Sequence, residues 1–120
     1  MTTPNIMNTA TITGYSNLIL ANNNTTLSTL VANANGSNQL IKVNTIYATN
    51  YSTNTVGVFV DIYRGSVSYP LAAGTAIPYN SLMILTGKDT TFYLQEGDVL
   101  RGNSTFNSTT SFLVSYEIIT

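Results

Sequence analysis

The chain contains no cysteine and no histidine, and its 120 residues include only four basic and five acidic side chains. Without cysteine there is no disulfide, thiolate metal site or cysteine nucleophile. Without histidine the chain lacks the commonest general base and the commonest transition-metal ligand, which excludes a serine–histidine triad. We therefore expect a protein that is not an enzyme and that binds neither a cofactor nor a metal.

The charge balance also argues against two classes of partner. A formal net charge of -1 gives no cluster of lysine and arginine for phosphate contacts, so we expect no nucleic-acid binding. No apolar run approaches the roughly 18 residues of a membrane span. The opening segment MTTPNIMNTATITG has neither a basic start nor a long apolar run, so we expect no secretion signal and no membrane association.

Hydroxyl and amide side chains supply the polarity that charges do not. The sequence has 20 threonines, 15 asparagines and 11 serines, interleaved with valine, isoleucine, leucine and tyrosine. Threonine, valine, isoleucine and tyrosine favour half-buried pleated surfaces, so the composition indicates an all-β protein. The length fits one domain, which we place at residues 9–120 after an N-terminal arm at residues 1–8.

Alternation of apolar and polar residues recurs along the chain, whereas helical periodicity does not. The clearest case is Thr55–Tyr63, where the valines and an isoleucine share one face and Gly57, Phe59, Asp61 and Tyr63 share the other. The preceding stretch LIKVNTIYATN alternates less cleanly, which indicates either a bulge or burial on both faces.

Short strands separated by regular turns predict the architecture. The remaining candidate strands are Thr9–Thr13, Leu27–Val31, Tyr69–Ala73, Leu82–Thr86, Thr91–Leu94, Val99–Gly102 and 112–119. Many short strands with turn residues every ten positions or so are typical of a sandwich. We predict a two-sheet antiparallel sandwich of about eight strands, with either jelly-roll or Ig-like topology.

The segment Glu96-Gly97-Asp98 places two carboxylates around a glycine. Clustered oxygens can bind calcium, but a calcium loop needs several more ligands at regular spacing, and these are missing. Apolar alternation on both sides instead predicts a hairpin turn in which Gly97 has positive φ and its acidic neighbours lie in water. The acids Asp61 and Glu117 lie on the polar side of predicted strands, so we expect them to be solvated as well.

Aromatic residues outside the predicted core indicate a contact surface. Phe59 and Tyr63 lie opposite the valine face, beside Gly57, where the backbone of a partner could approach closely. Tyr51 and Tyr79 lie in or beside predicted turns. Aromatic side chains are enriched at protein interfaces, so we predict that these five residues belong to an interface.

The C-terminal two thirds of the chain resemble a known family. The stretch LMILTGKDTTFYLQEGDVLRG followed by LVSYEIIT is similar to small virion structural proteins of tailed phages, particularly cyanophages. The stretch IYATNYSTNTVGVFVDIY resembles the central strand pair of the same family. The resemblance covers about residues 40–120 and implies a virion component that assembles in the host cytoplasm.

Two functions are compatible with these observations. One is a capsid decoration or cement protein that binds the major capsid protein and forms a homo-oligomer, with a trimer favoured. The other is a tail, collar or fibre accessory whose tyrosine-bearing loops bind a host glycan or another tail protein. The resemblance leaves capsid, neck and tail positions open.

Overall fold

A computed structural model describes residues 11–20, 27–87, 90–105 and 110–120, which form two antiparallel sheets packed face to face. The prediction of an all-β sandwich is confirmed, and the described residues form nine strands. The strands are β1 (Ile12–Leu20), β2 (Ser28–Ala32), β3 (Leu40–Asn50), β4 (Val56–Arg64), β5 (Val67–Ile77), β6 (Ser81–Thr86), β7 (Phe92–Leu94), β8 (Val99–Ser104) and β9 (Thr110–Ile119).

The strand order decides between the two topologies that the sequence left open. Sheet A has the order β1-β9-β3-β6, with β7 also paired to β3, and sheet B has the order β2-β8-β4-β5. The pairs β1–β9, β2–β8, β3–β6/β7 and β4–β5 are nested around the β4–β5 turn. One long hairpin rolled onto itself gives this nesting, so the domain is a jelly roll.

The core lies between the inner faces of the two sheets. In β4 the predicted alternation holds, since Val56, Val58 and Val60 are buried, although Ile62 near the end of the strand is only half-buried. Burial of these apolar side chains is the main stabilising contribution to a fold without disulfides. The buried cluster consists of Leu30, Val31, Ile41, Val43, Ile46, Ala48, Val56, Val58, Val60, Ile77, Leu94, Leu100, Phe112 and Val114.

A bulge explains the irregular alternation in β3. Val43 pairs with Tyr116 and Thr45 pairs with Ser115, so Asn44 is the extra residue. Before the extra residue the odd-numbered side chains face the core, and after it the even-numbered ones do. Val43 and Ile46 are therefore both buried. Of the two explanations that the sequence allowed, the bulge is correct.

Strand β5 extends further than predicted, because two further bulges interrupt the side-chain alternation from which its length was predicted. Its pairing with β4 shifts at Leu71 and again at Gly74, which has a φ of +79°. Glycine adopts this conformation at little cost, and such bulges bend an edge strand. The prediction of Tyr69–Ala73 therefore captured only the middle of Val67–Ile77.

The first strand was predicted too early in the chain. We expected Thr9–Thr13, whereas β1 runs from Ile12 to Leu20 and pairs with β9 along its whole length. All nine of its residues are exposed or half-buried, so the local pattern of burial gave little signal. The predicted arm at residues 1–8 lies outside the described residues.

Candidate functional site

The chain turns at Glu96-Gly97, but the turn is not a hairpin. The Asp98 N–H donates to the Gln95 carbonyl at 3.0 Å, and Gly97 at the third position has a φ of +89°. This positive φ is what a type II turn requires. The turn connects β7, which pairs with β3 in sheet A, to β8 in sheet B. The hairpin prediction is therefore wrong, because the apolar strands on either side belong to different sheets.

The two carboxylates of this turn are buried, which corrects the expectation that they lie in water. Asp98 is 1% exposed and accepts two hydrogen bonds from Arg64, Nε to Oδ1 at 2.7 Å and Nη2 to Oδ2 at 2.6 Å. It also accepts the backbone N–H of Gln95 at 2.8 Å. Glu96 accepts the backbone N–H of Asn38 at 2.7 Å. Both carboxylates thus bind protein donors, as buried charges require.

Asn33 joins the same turn to the β2–β3 connection. Its backbone accepts the Gly97 N–H at 2.7 Å and donates to the Asp98 carbonyl at 2.9 Å. Its side-chain Nδ2 donates to the carbonyl of Leu94 at 3.0 Å and to that of Gln39 at 3.0 Å. Within the described ranges, no group of three or more acidic side chains is placed to hold a metal ion. The corner is built as a structural joint between the sheets.

A second buried ion pair lies on the outer face of sheet B. Asp61 is 4% exposed, and its Oδ1 accepts from Arg101 Nε at 2.9 Å. Arg101 Nη2 and the Ser68 hydroxyl both donate to Oδ2. The Arg101 guanidinium lies 4.2 Å from the centre of the Tyr63 ring, in cation–π geometry. The expectation of a solvated Asp61 is wrong, because the cross-strand neighbour is an arginine that covers it.

These contacts determine how Asp61 titrates. Burial by itself raises the pKa of a carboxyl group. Hydrogen bonds from Arg101 and Ser68, together with the positive charge of Arg101, outweigh that effect and lower the pKa of Asp61 below its ordinary value of 3.8. The remaining strand acid, Glu117, is half-buried and accepts from Asn44 Nδ2 at 3.0 Å, so it too differs from the fully solvated group that we expected.

The structure brings three of the five predicted interface residues together. Gly57, Phe59 and Tyr63 share the outer face of sheet B, and Phe59 is 39% exposed. Tyr63 is half-buried beneath Arg101. A Cβ at Gly57 would lie 3.6 Å from the Gly74 Cα, so the close backbone approach predicted for a partner is made by β5 of the same chain.

The other two predicted residues lie in neighbouring loops at one end of the sandwich. Tyr51 and Tyr79 are both exposed, in the β3–β4 and β5–β6 connections. Buried Asn50 joins these loops, since its Nδ2 donates to the carbonyls of Asn54 at 2.8 Å and Ile77 at 2.9 Å. An asparagine that the sequence did not single out therefore joins the two connections that carry these tyrosines.

An apolar band that was not predicted from the sequence crosses the outer face of sheet A. Cross-strand partners share a face of the sheet, so register alone places Leu18, Leu113, Tyr47 and Ile84 in one row. Leu18 is 75% exposed, and Ile84 is exposed as well. The next row runs through Leu20, Ser111, Thr49 and Leu82. We call these eight residues the outer band. The Asn44 bulge places Tyr47 outward, and that bulge was the signal available in the sequence.

Comparisons with known proteins add little to this geometry. No model of a known protein family matches the chain, and no curated protein matches it either. A solved structure described as "Bacillus endospore appendages form a novel family of disulfide-linked pili" is similar, with a TM-score of 0.48 and 17% sequence identity. The similarity covers 92% of this chain and 88% of that one.

Among the residues that the structure describes, no helix is long and apolar enough to cross a bilayer.

Proposed function

We propose that the protein is a non-enzymatic structural component of a phage virion, a decoration protein that binds the major capsid protein. The observation that carries this proposal is the outer band of sheet A. Monomeric proteins rarely expose large contiguous apolar patches, and such patches mark surfaces that contact other proteins. The resemblance of residues 40–120 to small phage virion proteins is the reason for proposing a phage particle as the assembly.

The band is suited to contact with a broad surface. It extends from one edge of sheet A to the other, from Leu18 on β1 to Ile84 on β6. Its apolar members are interrupted only by the small polar residues Ser111 and Thr49, and sheets pack well against flat partners through such faces. The Asp61–Arg101 pair, in contrast, occupies the middle of the outer face of sheet B. On sheet A the cross-strand charges Lys42 and Glu117 lie beyond the row that contains Ser115, so the outer band itself carries no charge.

The free energy that one copy gains by burying its band favours attachment as an oligomer. Leu18, Leu20, Leu82 and Ile84 are each more than half exposed. Burying the exposed half of such a side chain contributes about 1 kcal/mol, so the four together contribute about 4 kcal/mol before the costs of association. A single copy would bind weakly. A trimer that makes three such contacts at once would bind far more tightly, because the second and third contacts become intramolecular.

Exposed residues at the two ends of the band allow a direct test. The double variant Leu18→Ser, Ile84→Ser should keep its fold, because both side chains are exposed, and should lose binding to particles that lack the protein. Binding is measured by co-sedimentation, and folding by circular dichroism. The matched variant Phe59→Ser, Tyr63→Ser changes the surface that the sequence predicted, on sheet B. Loss of binding only in this second variant would show that the contact surface lies there.

The position in the particle is tested by copy number. A decoration protein is present in on the order of hundreds of copies, because it follows the symmetry of the shell, whereas a tail or collar part is present in on the order of a few dozen or fewer. Densitometry of purified particles gives this number. A low count would contradict decoration and favour the tail, collar or fibre accessory.

A further inference from the structure

A cavity of about 400 Å³ opens on the outer face of sheet B, away from the outer band. Its walls include the apolar side chains of Phe59, Pro70 and Ala73. Asp61 and Asn103, both buried, contribute polar groups to its lining. A concave site of this size with apolar walls and a few polar groups is typical of small-molecule binding. A flat protein contact would not need such a depression.

The charge in the cavity indicates a neutral ligand. Asp61 is the only acidic side chain in the described lining, and its charge is balanced by the two hydrogen bonds from Arg101. A cation would have to compete with this guanidinium, and an anion would meet the carboxylate. The cavity therefore gives no net electrostatic preference for an ion.

The hydroxyl groups in the lining can bind a ligand that is both donor and acceptor. The Ser68 hydroxyl donates its proton to Asp61, so its oxygen can still accept. The Thr105 Oγ1 accepts the Gly57 N–H at 3.0 Å, so its proton can be donated to a ligand oxygen. A hydroxyl group on a ligand can satisfy either kind of partner. The lining thus matches a polyhydroxylated molecule.

Phe59 supplies a flat apolar surface in the same cavity. The ring lies against the β5 bulge, since its Cε1 is 3.7 Å from the position of a Cβ at Gly74. One side of the ring therefore faces the β5 bulge, and 39% of the residue remains exposed. An aromatic side chain has only two χ angles, so it binds a flat ligand with little loss of conformational entropy. The C–H face of a pyranose is such a surface.

We propose that this cavity binds a neutral sugar ring, stacked on Phe59 and hydrogen-bonded to the hydroxyls of Ser68 and Thr105. The inference does not depend on the role of the outer band in assembly. Sheets A and B have opposite outer faces, so a protein attached through sheet A would present the cavity to the surroundings.

Backbone amide NMR shifts test the proposal with three simple sugars. The ¹⁵N-labelled protein is titrated with methyl glucoside, methyl galactoside and N-acetylglucosamine up to about 20 mM, well above a millimolar Kd. We expect at least one sugar to shift the amides of Phe59, Ser68, Ala73 and Thr105. No shift with any of the three sugars, or shifts confined to other regions, would overturn the proposal.

Variants of Phe59 distinguish stacking from an unspecific effect. Phe59→Ala should weaken binding at least tenfold in apparent Kd, and Phe59→Trp should retain it because an aromatic ring is preserved. Tyr93→Ala removes an exposed aromatic residue from β7 and serves as the matched control, with unchanged affinity. Equal binding by the wild type and Phe59→Ala would overturn the role of the ring. The wild-type titration decides the proposal even if Phe59→Ala does not fold.

Discussion

At the scale of single residues, two arginine–aspartate pairs act as joints within the fold. Asp98 and Asp61 are buried, and each is bound by one arginine, Arg64 or Arg101, in a two-point hydrogen-bonded pair. Removing one member of such a pair leaves the other without its partner, which is strongly destabilising when the remaining charge is buried. A chain with four basic and five acidic residues thus places two of each in ion pairs that connect separate segments.

Gly97 gives the first test at this scale. We expect Gly97→Ala to lower the free energy of unfolding by about 1 kcal/mol or more, because a Cβ is disfavoured at positive φ. The new Cβ would also lie 2.6 Å from Asn35 Oδ1, and exposed Asn35 can rotate away. Urea unfolding measures the change. Gly14→Ala is the control, since no atom lies within 4 Å of its Cβ position and its φ is not positive. Equal free energies of unfolding for the two variants would contradict the strain expected at the positive φ of Gly97.

Asp61 makes the fold sensitive to acid. Between the ordinary pKa of 3.8 and the lower pKa in the folded state, the unfolded chain binds a proton that the folded chain does not. The free energy of unfolding therefore decreases as the pH falls through this range, and the contribution of Asp61 is fully present above it. We expect the urea midpoint of the wild type to decrease as the pH is lowered below about 4. The midpoint of Asp61→Asn should decrease less steeply over the same range. Ser68→Ala should give an intermediate slope, and identical slopes in all three proteins would contradict this account.

At the scale of elements, bulges decide which side chains face the core. Period-two alternation predicts one face for a whole strand, and a single extra residue exchanges the faces beyond it. The bulge at Asn44 places Ile46 and Ala48 inside and Tyr47 outside. The bulges at Leu71 and Gly74 bend β5 over the cavity that contains Phe59. Both proposed binding surfaces therefore depend on irregular positions in strands.

Deletion of Asn44 tests this dependence. Without the extra residue, one half of β3 must exchange its inner and outer faces. Either Ile46, Ala48 and buried Asn50 turn outward, or the core-facing side chains of the first half of β3 turn outward. We expect the deletion variant to lose cooperative thermal unfolding, measured by circular dichroism. Asn44→Ala keeps the register and removes only the hydrogen bond to Glu117, so it should lower the free energy of unfolding by about 1 kcal/mol or less. A deletion variant as stable as Asn44→Ala would show that the register is not set by the bulge.

At the scale of the whole molecule, a jelly roll without disulfides holds its two sheets together through an apolar core and the corner at Glu96-Gly97-Asp98. The corner contacts the β2–β3 connection through Asn33 and β4 through Arg64. It therefore joins both sheets in the absence of any disulfide. The acids that resemble a cation site in the sequence serve as hydrogen-bond acceptors for this joint.

Chelation tests whether the corner needs a metal. Because Glu96 and Asp98 already accept protein donors, we expect EDTA to leave the melting temperature unchanged. A ligand that binds only the folded state raises its stability, so loss of a bound ion would lower the melting temperature. Differential scanning calorimetry measures it. A decrease of several degrees that calcium restores would revive the cation site.

Local sequence patterns were sufficient to predict the all-β class, the sandwich, and the positions of most strands and turns. These features depend on local properties, since side-chain alternation and turn residues act within a few positions of the chain. Strand β4 and the positive φ of Gly97 could be read from neighbouring residues alone. The position of β1 could not, because its side chains are largely exposed and only its pairing with β9 defines it.

The nesting of strands, the burial of the acids and the two outer surfaces depend on contacts between distant parts of the chain. Tyr15 near the start of the chain stacks on Tyr116 near its end, and no local pattern specifies such a pairing. Asp61 and Asp98 are buried with an arginine bound to each. These arginines come from distant segments, so the residues next to each aspartate do not indicate its burial. The outer band exists because register aligns residues of four strands. Long-range pairing creates each of these features, so each became visible only when the chain was folded.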